Sequence, residues 1–477
     1  MEGDLDIKGL LHASAPQFVP PLHDSFIPAA KFNRYFCDLT NNSNAQAPLV
    51  IGLERGDHSL SVYRTQCLDE TSDSAALNFP FAERLVKMLL WQRGAWRIVI
   101  GGPRSVGEHI QQVYSRGGVR AFDVDFMANV YERPFTVEIT DADKVPLANE
   151  GAVRLGGHLE GYRIGFDLGA SDRKVAAVKN GEAVYTEEVV WDPRNAADPR
   201  YHFDQINTAL KTAAKHLPRV DAVGGSAAGV YINNRPRVGS LYRGVPKPLF
   251  DTRIRSLFMD LQQAWGGIPF AVVNDGEVTA LAGAMSLEDK AVLGMALGSS
   301  EAGGYVTPTG ELTTWLNELA FCPVDYDPHA PMDEWSGDHG VGANYFSQQA
   351  VFRLAPVAGL TLDPELGLAE KLRSVQDLLA RGDERARLIF ETIGCYVGYG
   401  VAHYADFYEL RHVLILGRVT SGEGGNIILS RADEVLRKEF PELAARIALH
   451  LPDESTRRVG QAVAAASLPV VNGSRNT

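Results

Sequence analysis

The residues best suited to chemistry stand where short apolar runs stop. Tyr162-Arg-Ile-Gly-Phe-Asp-Leu-Gly-Ala-Ser171 alternates like a buried strand, and Gly169, Ala170 and Ser171 turn it into a return strand over Val175–Val178. Asp167 at its end lies beside small residues whose backbone N–H groups can approach an anion closely. That combination suits a phosphate-and-Mg²⁺ cradle, with amides facing phosphate and Asp167 holding the metal through water. A second run, Ile268–Val273, stops at Asn274-Asp275 and continues as an Ala-rich helix to Met285. Asp275 is the candidate base, because phosphorylating a hydroxyl needs a carboxylate close enough to take its proton. A third run, Ala291–Leu297, enters Gly298-Ser-Ser-Glu-Ala-Gly-Gly304, and a fourth, His412–Leu416, leaves through Gly417.

Each feature also has a plainer reading. Asp-x-Gly after a strand is an ordinary turn, and Asn-Asp before an Ala-rich helix is a start signal in which Asp275 caps the helix. Gly303, Gly304 and Gly417 can serve backbone geometry alone. The loop Cys322–Gly342 gathers His329, His339, Asp325, Asp327, Asp333 and Asp338 without the tight ligand spacing of a zinc site, and reads as a solvated acidic loop.

The elements that position these residues are those of an ordinary globular chain, 45% hydrophobic and 22% charged. A net charge of -13 argues against general nucleic-acid binding. No apolar run is long enough to span a membrane, and Met1-Glu-Gly-Asp-Leu-Asp is not a signal peptide, so a cytoplasmic protein is expected. Cys37, Cys67, Cys322 and Cys395 are scattered, as reduced thiols would be. Residues 1–45, broken by Pro16, Pro20, Pro21 and Pro28, are expected as an extended arm. Residues 46–155 read as an α/β extension whose order of strand, strand, helix and strand repeats after Tyr162, as in a degenerate copy of one half-domain. The turn between its first strands falls at Gly56-Asp57, and Glu54-Arg55 stands where the second copy has Asp167-Leu168. A first lobe is expected over 156–270 plus 455–477, and a second over 271–454.

Six stretches, in order, resemble the ROK family of sugar kinases and repressors within the actin-like ATPase superfamily. Gly165-Phe-Asp-Leu-Gly-Ala-Ser171 looks like its first phosphate motif and Val272-Val-Asn-Asp-Gly-Glu-Val-Thr-Ala-Leu-Ala-Gly283 like its Asn-Asp motif. Leu297–Gly304 resembles the second phosphate loop, Trp315-Leu-Asn-Glu318 the segment with a sugar-binding Glu, and Tyr345-Phe-Ser347 the helix start after the zinc loop. Val413-Leu-Ile-Leu-Gly417 resembles the adenosine motif, and Gly460–Ala466 fits the closing helix. The resemblance covers roughly residues 160–470. Departures accompany it: Ser299, Ser300, Glu301 and Ala302 in the second loop put a carboxylate near phosphate. Phe321 takes the place of a zinc-binding His, Val341 and Ala343 those of a zinc Cys and a sugar-contacting Glu, and Arg418 that of a Gly.

The resemblance implies a duplicated actin-like (ribonuclease H-like) α/β fold, with a nucleotide and sugar cleft between two lobes. It implies ATP-dependent phosphorylation of a sugar by a homodimer, with Mg²⁺ and no structural zinc. Asp275 would be the base, Asn274 and Glu318 would hold substrate hydroxyls, and Asp167 would position Mg²⁺. Gly169, Ala170, Ser171, Gly298, Ser299, Ser300, Gly303, Gly304 and Gly417 would contact the nucleotide. Neither nucleic acid nor membrane is an expected partner, since residues 1–150 lack a basic recognition helix. The alternative is a catalytically impaired regulator that binds sugar or nucleotide. Glu301, Arg418 and Phe321 favour it, and the intact Asn274-Asp275 pair disfavours it. An ATPase that activates a partner protein is a third reading, with little support from the scattered cysteines.

Overall fold

The computed structural model describes residues 6–471, apart from 57–58, 151, 154 and 453. The chain forms two compact units, one of residues 1–151, 295–303 and 314–451, the other of 152–294, 304–313 and 452–477. Residues 46–155, expected as an extension, thus fall almost wholly into the same unit as 314–451.

In the first unit, β1 (Gln46–Glu54), β2 (Leu60–Leu68), β3 (Arg97–Gly101) and β4 (Thr136–Thr140) make a sheet of order β2-β1-β3-β4. Asp57, in the expected turn, lies outside the described residues. Residues 1–45 are not simply an extended arm: they carry the helices Ile7–Ala13 and Ala29–Asn41, the first capped by Asp6 accepting from the Gly9 N–H. The Pro residues fall between these helices, at 16, 20, 21 and 28, where they cost neither helix a hydrogen bond. Phe32 and Phe36 of the second helix are buried. The helix Glu384–Tyr404 is buried along most of its length and pairs with Glu423–Glu439. His412–Leu416 pairs in parallel with Ala448–His450.

In the second unit, β5 (Tyr162–Leu168), β6 (Asp172–Lys179), β7 (Glu182–Val190), β8 (Ala222–Ala227) and β9 (Phe270–Asn274) form a sheet of order β9-β8-β5-β6-β7. β5, β6 and β7 are antiparallel neighbours, and β8 and β9 add in parallel to β5. This is the ribonuclease H-like half. Strand β7, absent from the sequence reading, is an edge strand whose side chains alternate between exposed and half-buried. The helix Pro199–Ala214, capped by Asp198, covers one face with Ile206, Ala209 and Leu210 against Phe166 and Phe258. The helix Glu454–Ala466 lies so close to the other face that a Cβ on Gly165 or Gly224 would sit 1.7 Å from the Ala462 or Ala465 carbonyl oxygen.

The two sheets correct the expectation of a degenerate copy. β8 runs parallel to β5, whereas β3 runs antiparallel to β1. The difference is one of parity. Three antiparallel strands precede the Pro199–Ala214 helix, so it leaves a strand parallel to β5 and returns the chain in that direction. Only two precede the helix Asn78–Arg93, so it leaves β2, antiparallel to β1, and a crossover returns β3 parallel to β2.

Candidate active site

In the second unit, the end of β5 and the start of the helix Asp275–Leu287 bring Asp167 and Asp275 together. Asn274, not Asp275, caps that helix: its Oδ1 accepts the Gly276 N–H at 2.7 Å and its Nδ2 donates to the Gly229 carbonyl at 2.7 Å. Capping is thus done by the neighbour, and the Asp275 carboxylate keeps only a longer contact of 3.1 Å with the same N–H. Burial and, after it, the nearby negative charge of Asp167 together raise the Asp275 carboxyl to about 6.

Asp167 is buried; its Oδ1 accepts a 2.5 Å hydrogen bond from Ser226 Oγ, and Lys174 Nζ lies 3.5 Å from its Oδ2. Lys174 sits directly across the β5–β6 hairpin from Asp167. Burial opposes its charge, but Asp167, Asp172 and Glu188 outweigh that and hold its pKa above the ordinary lysine value. The sequence reading missed Lys174, although the short turn at Gly169–Ser171 fixes its register. Within the turn, the Gly169 N–H donates to the Asp172 carbonyl, and the Ala170 and Ser171 amides have no protein partner among the described residues. Gly304 is required by packing: a Cβ there would meet the Gly276 carbonyl oxygen at 2.0 Å.

The remaining candidates belong to the first unit. Ser299 and Ser300 are exposed, and the Gly298 N–H closes a tight turn onto the Ser300 carbonyl. Gly417 has φ +109°, and a Cβ there would collide with the Leu297 backbone, so geometry alone demands glycine. Glu301 does not behave as a phosphate-repelling charge. It is 3% exposed and turned inward: Tyr404 donates to its Oε1 at 3.0 Å, and its Oε2 has no hydrogen-bond partner among the described residues. Burial, with Glu318 adding, raises its carboxyl to about 8, so it is neutral at pH 7. Among the described residues neither Arg418 nor any other cation neutralises it.

Glu318 is held by the N-terminal part of the chain. The Asn317 and Glu318 N–H groups donate to the Gln92 and Trp91 carbonyls at the end of the helix Asn78–Arg93, at 2.8 and 3.1 Å. Asn317, at φ +52°, accepts from the Tyr408 hydroxyl. Phe321 packs on Trp91, with ring centroids 4.4 Å apart, and on Phe122.

The loop after it is not the solvated acidic loop expected: Asp325, Asp327, Asp333 and Asp338 are all buried. Asp338 meets Arg84 at 2.9 Å, Arg120 at 2.6 Å and Lys87 at 3.4 Å, and Lys87 also pairs with Asp123 at 3.0 Å. Burial opposes ionisation of Asp338, but these cations overcome it and hold its carboxyl well below the usual range. Asp325 accepts from the Tyr345 hydroxyl and from the Ile27 and Asp327 amides. Among the described residues no His, Cys, Asp or Glu group is arranged as a metal site. A Mg²⁺ that keeps most of its waters needs only one or two carboxylates, and the Asp167–Asp275 pair, where one acid raises the other, fits such a cation.

No family model and no curated protein matches the sequence. Among solved structures, a ROK family transcriptional regulator, described as a homologue of the E. coli MLC protein, matches at TM-score 0.50 and 17% identity over 65% of this chain and 79% of its own. The ROK hexokinase of Thermus thermophilus matches at TM-score 0.49 and 18% identity, over 64% and 97%. A ROK glucokinase of Streptomyces griseus, in complex with glucose and AMPPNP, matches at 0.46 and 19%, over 64% and 99%. The chain has the actin-like fold of the ROK proteins.

Proposed function

We propose that the chain is a divergent ROK protein that transfers the γ-phosphoryl group of ATP to a hydroxyl of a sugar or sugar derivative. The observation that carries this reading is Asp275: a carboxylate released from helix capping by Asn274 and tuned to about 6 by burial and Asp167. A base with that pKa is ionised at pH 7 yet basic enough to accept the hydroxyl proton as the oxygen–phosphorus bond forms and ADP leaves. Mg²⁺, held through water by Asp167, would supply the charge that phosphoryl transfer needs. Lys174 fits beside it as a second cation. The Ala170 and Ser171 amides, with Gly169, suit phosphate contacts. Gly298, Ser299, Ser300, Gly303 and Gly417 suit the nucleotide, and Glu318 suits a sugar hydroxyl. Asn274 has both ends of its side chain engaged, so its part is to orient Asp275 as much as to touch substrate.

A second reading, a sugar-binding regulator without turnover, draws on Phe321, Val341 and Ala343, which carry none of the polar chemistry of the residues they replace. The inward, neutral Glu301 removes one argument for it. The test is ADP release from Mg²⁺-ATP across hexoses, N-acetylated amino sugars and polyols, with Asp275→Asn as control. Sugar-dependent release abolished by that change supports the kinase. No release across the panel, with a sugar still raising the melting temperature, supports the regulator.

A further inference from the structure

A second feature of the first unit is unused by that chemistry. Arg93, at the end of the helix Asn78–Arg93, is only 9% exposed. Its guanidinium lies 4.9 Å from the ring centre of Trp315 and 5.9 Å from that of Tyr63, with no ion pair or hydrogen bond among the described residues. Arg55 is 3% exposed and close enough that its charge disfavours that of Arg93. Besides these two arginines, the titratable groups that face Arg93 are Glu150, Tyr63 and Tyr408. Glu150 is already engaged: Arg55 Nη2 donates to it at 2.7 Å and Trp315 Nε1 at 3.1 Å. Two buried guanidinium groups therefore share one carboxylate, and the Nε of each arginine is buried without a partner among the described residues.

An uncompensated buried cation is costly. Stacking on aromatic rings returns about 0.5–2 kcal/mol, well below the several kcal/mol that desolvation of an ion takes. A planar guanidinium is best completed by an oxyanion, which it binds through paired N–H donors. We propose that Arg93 and Arg55 form a binding site for a small oxyanion, a carboxylate or a phosphate group, walled by Trp315, Tyr63 and Tyr408. Glu150, whose side chain is 39% exposed, is the rim through which the ligand reaches it. Occupancy would also bear on the Trp315–Glu318 segment, because Trp315 forms one wall.

The experiment is thermal unfolding of the full chain in inorganic phosphate, acetate, citrate or chloride at constant ionic strength, with calorimetric titration of whichever anion shifts it. The expected result is a saturable rise in melting temperature with phosphate or a carboxylate and none with chloride; which of the two acts identifies the ligand class. Arg93→Gln should weaken binding at least tenfold and, by removing an unpaired buried cation, unfold no earlier than the parent in anion-free buffer. Arg93→Lys, which keeps the charge without the planar fork, should also bind more weakly. No saturable response to any oxyanion overturns the proposal, as does a response that Arg93→Gln leaves unchanged. Because Arg93 is not among the residues assigned to phosphoryl transfer, failure here would leave the sugar-dependent ADP release of the parent untouched.

Discussion

Asp275→Asn should stabilise the folded protein at neutral pH while abolishing activity. The Asp275 carboxyl rises from its ordinary 3.8 to about 6 on folding. A group whose folded pKa is raised favours folding when protonated, and its ionisation in the folded state removes that benefit as the pH climbs from the unfolded value through the folded one. At pH 7 the shift of about two units corresponds to roughly 3 kcal/mol at 1.36 kcal/mol per unit, an upper bound because the side chain is partly open to water. Asparagine keeps the oxygen that faces the Gly276 N–H and cannot ionise. A gain of about 1–3 kcal/mol should raise the melting temperature by about 2–8 °C for a domain of this size. The gain should fade as the pH falls from 6 and vanish below about 4, where both states of the parent are protonated. Unfolding scans of parent and variant between pH 4 and 8, alongside ADP release, make the comparison. Were Asp275 chiefly a helix cap, its loss would cost stability, by about 1 kcal/mol. A variant that melts earlier than the parent at pH 7, or a gain that is the same at pH 4 and pH 7, refutes the reasoning.

Three further outcomes follow from the same charges. kcat/KM should fall below pH 6 as Asp275 is protonated, and Asp167→Asn, beside lowering the rate, should move that limb to lower pH, because a neighbouring like charge is removed; a pH–rate profile of both proteins reads it. Glu301→Gln should unfold like the parent near pH 4.5 and become relatively more stable as the pH rises through about 8, since the folded-state carboxyl is raised and its ionisation destabilises the parent; melting curves from pH 5 to 9 check it. Asp338→Asn leaves Arg84, Lys87 and Arg120 with fewer anions in a buried site and should cost about 3–5 kcal/mol, seen as an earlier unfolding transition and a raised KM for sugar.

What could be read from the sequence was local. Asp167 and Asn274-Asp275 stand at the ends of apolar runs, and a strand's end is visible in the run itself. Lys174 was missed because its meaning comes from hairpin register rather than from its neighbours in sequence. The strand Glu182–Val190 was missed because an edge strand carries glutamates on its wet face and buries no continuous apolar row. The division of labour between Asn274 and Asp275 was also out of reach: either residue type can cap a helix, and the choice rests on the Gly229 carbonyl that anchors the Asn274 amide.

The acidic loop shows the limit most clearly, and also a signal that was available. Four aspartates in a Pro-rich stretch look solvated when read alone, because aspartate is rarely buried unless paired. Their partners lie in another part of the chain, on the helix Asn78–Arg93 and at Arg120. That helix is apolar at Phe81, Leu85, Met88 and Leu89, yet Lys87 and Arg84 sit among them, and Lys87 is fully buried. A cation in a helix with so little polar surface must find a carboxylate, and the only question is which. Asp123 and Asp338 provide it, so the same helix fixes the loop through charge, Glu318 through its terminal carbonyls and Phe321 through Trp91. Where the family resemblance implies that zinc organises this segment, the first hundred and fifty residues of this chain do so with hydrogen bonds, aromatic packing and a buried ion cluster. The N-terminal region is on this argument part of the scaffold of the proposed sugar site, and its removal should cost Glu318 its position rather than merely trim the protein.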